Sequence, residues 1–247
     1  MTMKAKDSGK NPGSGEPAGK TFSLTDALLE PQPVDPAALE RIRDQLDARG
    51  PANSPKHLMK MLSRPSCPDA VIAEIVRTGS GSQIPRITKC LNELSEAAAE
   101  AFPALGNDKV AALFTQRPEA VVAALGKIKR AAGDSAWSVF VPFQNNPTVA
   151  GLFALNPDAF VRIAEHAGED GTRPAFERLS GVPELFTRHP EAFVNISRYA
   201  RRATWEAFSA LADERLAVRF AQNPDEFVRI AKHKGEGAGD AFEALAK

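Results

Sequence analysis

The chain has 247 residues, of which 43% are hydrophobic and 25% charged, so it carries enough apolar side chains to bury a core. Lysine plus arginine and aspartate plus glutamate both number 31, giving a formal net charge of zero. That excludes an overall basic excess of the kind that draws nucleic acids and anionic membranes, but leaves room for a local basic stripe.

Residues 1–20 are rich in Gly, Ser, Pro and Lys and offer almost nothing to bury. A segment of this kind cannot offset its ordering entropy, and a disordered tail over residues 1–34 is expected. Lys4, Lys6 and Lys10 are followed by no apolar run, so the start does not read as a secretory signal. Within the tail, TFSLTDALLEP (residues 21–31) places Phe22, Leu24, Leu28 and Leu29 on or near one helical face. This is a candidate docking segment for a partner.

Asp35-Pro36 is an N-cap followed by a first helical residue, and it predicts a lead-in helix to about Arg49 within residues 35–53. Ser54-Pro55 predicts a further helix by the same device. From there a pattern recurs, anchored on Pro68, Pro118, Pro157, Pro190 and Pro224 at intervals of 50, 39, 33 and 34 residues. Four residues before the anchor stand Phe114, Phe153, Phe186 and Phe220. The residue before the anchor is Arg117, Asn156, His189 or Asn223, and the Asn copies read as N-caps. Glu119, Asp158, Glu191 or Asp225 comes next, an acid suited to the positive end of a helix dipole.

The second helix of each unit then reads Phe160-Val161-x-Ile163, Phe193-Val194-x-Ile196 or Phe227-Val228-x-Ile230, a broad apolar face. Glycine breaks follow at 79–81, 133, 168–171 and 235–237. Arg201-Arg202-Ala203-Thr204 lacks one. A third helix begins after the break, with Ala136-Trp137, Ala175-Phe176, Ala207-Phe208 and Ala241-Phe242 in register. The expected fold is therefore all-α: a right-handed α-solenoid of about five short three-helix repeats over residues 54–247, with a period near 34. In architecture it resembles HEAT, armadillo and other short-repeat helical arrays. The Asn-Pro-Asp-x-x-x-x-Ile-Ala rhythm at Asn156 and Asn223 is similar to repeats of plant-pathogen DNA-binding effectors. The base-reading residue pair of that family has no counterpart here.

Catalytic chemistry is not apparent. His57, His166, His189 and His233 form no ligand set, and no cofactor or metal is expected. Gly79-Ser80-Gly81-Ser82 lacks the Gly-Lys-Ser/Thr ending and preceding strand of a phosphate loop. Cys67 and Cys90 read as small buried side chains, and two cysteines suit a reducing compartment. The informative polar row lies at the ends of the second helices: Lys127, Lys129 and Arg130; Arg198, Tyr199, Arg201 and Arg202; Lys232, His233 and Lys234. Glu165 and His166 interrupt it. Residues 109–247 hold 18 basic and 17 acidic side chains, so the row stands in a neutral array.

These features predict a non-enzymatic, cytoplasmic scaffold or adaptor that binds a protein partner through its extended surface and its tail. A nucleic acid bound along the basic row is the second reading, and a secreted bacterial effector the third.

Overall fold

The computed structural model describes residues 35–47 and 66–247, and every regular element among them is helical. The tail, with Phe22, Leu24, Leu28 and Leu29, and the helix expected from Pro55 lie outside the described residues. No helix among the described residues is long and apolar enough to cross a membrane.

The lead-in helix is Pro36–Asp47. Asp35 Oδ1 accepts the Ala37 amide at 3.1 Å, and Pro36 sits where a helix has no use for an amide proton. Leu46 is buried, with Leu39 and Ile42 half-buried beside it. Asp69–Thr78 and Ile84–Ala98 follow, separated by Gly79, whose left-handed backbone lets its amide reach the Ile75 and Val76 carbonyls.

Helices then arrive in threes. The first helices are Asp108–Gln116, Pro147–Leu155, Pro183–Arg188 and Glu214–Gln222. The second helices start on the anchor prolines: Pro118–Ala132, the first part of Pro157–Leu179, Pro190–Ala200 and Pro224–Lys234. A single residue joins first to second. The Asn156 amide donates back to the Leu152 carbonyl at 3.0 Å, while its own carbonyl accepts from Phe160 at 3.4 Å. Arg117, His189 and Asn223 repeat the arrangement. The expected Asn156 and Asn223 side-chain caps do not form. Their ψ of 65° and 71° serves two helices at once, whereas Asn146, at ψ 100°, does cap Thr148 and Val149.

Like helices lie against like. The first helices contact in the series Asp108–Gln116, Pro147–Leu155, Pro183–Arg188, Glu214–Gln222, and the second helices do the same in chain order. Pro157–Leu179 also packs on Thr204–Ala210, which packs on Ala238–Ala244. Between the layers runs a chain of phenylalanine rings. Phe153 meets Phe160 at 5.6 Å, Phe160 meets Phe186 at 5.6 Å, Phe186 meets Phe193 at 5.5 Å, and Phe193 meets Phe220 at 5.3 Å. Phe176, Phe208 and Phe242 close on Phe160, Phe193 and Phe227 from the third helices. These rings are all buried, and burying each contributes roughly 1.5–3 kcal/mol.

Two expectations are corrected. Trp137 is not a core ring; it is 68% exposed, and Phe140 is buried in its stead. Gly171 does not break a helix, because Pro157–Leu179 turns at Gly168 alone (φ 68°). Gly171 has no Cβ for a different reason: one would stand 2.9 Å from the Arg202 carbonyl oxygen in the next triplet.

Candidate partner-binding edge

The turn from second to third helix sets the phase of the edge. Its first residue has a positive φ in four successive triplets: Gly133 (55°), Gly168 (68°), Arg201 (52°) and Gly235 (59°). Their intervals are 35, 33 and 34 residues. The Pro118–Gly133 segment is four residues longer than Pro157–Gly168, about one helical turn, so its face is kept while its count from the proline shifts.

Counted back from these turns, the side chains fall into columns. Three residues before stand Arg130, Glu165, Arg198 and Lys232, all exposed. Two before stand Ala131, His166, Tyr199 and His233; His166 and Tyr199 are half-buried, and Tyr199 packs on the core. Six before stand Lys127, Arg162, Asn195 and Arg229. Counting from the proline misses Arg162 and Arg229; counting from the glycine finds them.

The row therefore divides. Lys129 falls in the column of Ala164, Ser197 and Ala231, which are buried. It bends to Glu100 at 3.0 Å and is half-buried. Together with the Glu100 backbone amide, which matters more, it holds that carboxyl below its usual range. Arg202 Nε donates to Glu236 at 3.1 Å across two triplets. Two triplet boundaries earlier, Ser135 donates its amide to Glu169 at 3.2 Å. Arg162 pairs with Glu191 at 2.7 Å. These exposed bonds tie neighbours at the edge and contribute little each, roughly 0–1 kcal/mol. Among the described residues, Lys127, Arg130, Arg198, Arg201, Lys232 and Lys234 are exposed and enter no ion pair. His233 is exposed beside them.

Successive triplets feel one another along this edge. Burial first, then the charges of Arg198 and Arg162, push the His166 imidazole below its ordinary value, with Glu165 opposing. Arg198 belongs to the triplet after His166, so the edge is electrostatically continuous there.

The chain matches no protein-family model, no curated protein and no solved structure. Function must therefore be read from the side chains. Among the described residues, no three His, Cys, Asp or Glu side chains gather as metal ligands. A groove of about 350 Å³ between the lead-in helix and Asp69–Thr78 is lined by Ala38, Ile42, Gln45, Ile75 and Val76, with Arg41 as its single ionisable side chain. One arginine beside a glutamine offers no acid–base pair.

Proposed function

We propose that the chain is a non-enzymatic helical-repeat protein, a short α-solenoid, that binds an acidic segment of a protein partner along the ends of its second helices. The like-on-like helix contacts and the near-regular spacing of the positive-φ turns support the repeat architecture. The observation that carries the binding reading is the set of six exposed cations, without ion-pair partners among the described residues, on one edge. Unpaired charge gathered along one edge is available to a partner, and it steers association more than it sets affinity.

Glu165 favours a protein over a nucleic acid. A phosphate backbone carries charge at every nucleotide and would meet the Glu165 carboxylate in mid-edge, whereas an acidic peptide can place an uncharged residue there. The column of His166, Tyr199 and His233 beside the cations is what a single strand would use for stacking, and it keeps nucleic acid as the second reading. The tail residues Phe22, Leu24, Leu28 and Leu29 are proposed as a second, apolar contact with the same partner.

Fluorescence anisotropy with a labelled oligoglutamate and a labelled oligothymidylate, at low and physiological salt, tests the edge. Oligoglutamate is expected to bind in a salt-sensitive way, and Arg198→Glu with Lys232→Glu to abolish that binding. Tighter binding of the oligothymidylate would favour the second reading; binding of neither would end both. Serine at the four tail positions should leave oligoglutamate binding unchanged and weaken capture of a full-length partner.

A further inference from the structure

We infer that Arg201 is the residue through which this edge grips a carboxylate of its partner, held there in a strained backbone that glycine would otherwise occupy. The inference rests on the acidic-segment reading above and names the contact that would carry it.

Arg201 is the one non-glycine residue with positive φ among the described residues. Its φ of 52° and ψ of −127° nearly coincide with those of Gly133 (55°, −132°) and Gly235 (59°, −127°), and Gly168 takes the same turn at 68° and −167°. Three triplets thus make the turn with a residue that has no Cβ to collide with the backbone. The fourth makes it with an arginine, at a cost in strain that persists only where the surroundings over-determine it.

Among the described residues, no hydrogen bond or ion pair uses the side chain in return. The bond to the next triplet is made by Arg202, which donates to Glu236 at 3.1 Å. Arg201 itself is exposed and enters no ion pair among the described residues. Exposed cations flank it in its own and the following triplet. Arg198 lies three residues earlier, Lys232 takes that position in the following triplet, and Lys234 immediately precedes Gly235, all three exposed. On the preceding side stand Glu165, Glu169 and Asp170, of which Glu169 accepts from Ser135, and Glu236 is engaged by Arg202. An arginine at this apex offers a planar fork that takes a carboxylate through two parallel hydrogen bonds, a geometry that lysine cannot supply. Glycine would ease the turn but remove the fork, so the strain is consistent with selection for the side chain.

Full-length Arg201→Gly, Arg201→Ala and Arg201→Lys separate the two claims. Glycine and alanine both delete the guanidinium, but glycine alone relieves the backbone. Arg201→Gly should therefore melt about 2–4 °C above Arg201→Ala, while both lose about tenfold in affinity for labelled oligoglutamate. Arg201→Lys should melt with the alanine variant and bind between it and wild type. Equal melting of the glycine and alanine variants would overturn the strain. Wild-type affinity in Arg201→Gly would overturn the contact while leaving the acidic-segment reading intact. Failure of wild type itself to bind oligoglutamate would remove that reading and this inference together. Loss by Arg201→Gly of oligothymidylate binding alone would overturn the carboxylate assignment.

Discussion

Phe193 and Phe220 meet edge to face with ring centroids 5.3 Å apart, although they belong to consecutive helix triplets. Phe193 also touches Phe186 and Phe208. One ring on a second helix thus joins the first and third helices of its own triplet to the first helix of the next. Phe193→Ala should cost about 3–5 kcal/mol, read as a drop in the urea midpoint of unfolding. Because the two rings share a contact, the double variant with Phe220→Ala should cost less than the sum of the singles. An unchanged midpoint in Phe193→Ala would mean that the ring chain does not hold the triplets together.

Trp137 and Phe140 test the phase of the third helix. Trp137 is 68% exposed and Phe140 is buried. Trp137→Ala should change stability by no more than about 0.5 kcal/mol, and Phe140→Ala should cost about 3–5 kcal/mol. Reversed costs in chemical denaturation would put the tryptophan in the core.

Gly168 and Gly171 should resist alanine for different reasons. At Gly171 a Cβ would lie 2.9 Å from the Arg202 carbonyl oxygen and 3.0 Å from its Cα, and backbone cannot yield cheaply. Gly171→Ala should destabilise by about 1–3 kcal/mol. At Gly168 nothing lies within 4 Å, and the penalty is the φ of 68° alone, about 1 kcal/mol. Substituting Gly171 should also disturb the Arg202 amide signal in an NMR spectrum, which Gly168→Ala should not do.

His166 should make stability depend on pH. Its folded value is held below the ordinary 6.5, so between those two values the unfolded chain binds more protons. Stability from this group is full above about pH 6.5 and is lost as pH falls through the folded value. Urea midpoints of wild type and His166→Gln, compared between about pH 5 and pH 7.5, should diverge on the acid side, with wild type falling faster. Parallel midpoints would show that the imidazole titrates alike in both states.

Much of this molecule is written locally. Asp35-Pro36 begins a helix because a carboxylate and a missing amide proton satisfy its first turn in any context. The prolines Pro118, Pro157, Pro190 and Pro224 begin the second helices through the missing amide proton alone, and Phe160, Ile163, Phe193 and Ile196 are buried because their spacing puts them on one face. The polar row was legible as a run of cations near helix ends, but its columns were not. Nothing near Lys129 announces that Glu100 will neutralise it, and nothing near Arg162 announces that it shares a column with Lys127 and Arg229.

From sequence alone, then, come the all-helical class, the anchor positions and the aromatic core, since capping and apolar periodicity are properties of a few consecutive residues. Tertiary structure alone decided the register between triplets. The exposure of Trp137, the close approach at Gly171 and the positive φ of Arg201 all follow from how one triplet seats on the next. Stacking fixes where each second helix must end, and a residue at that end takes the backbone the turn demands, whether it is glycine or arginine.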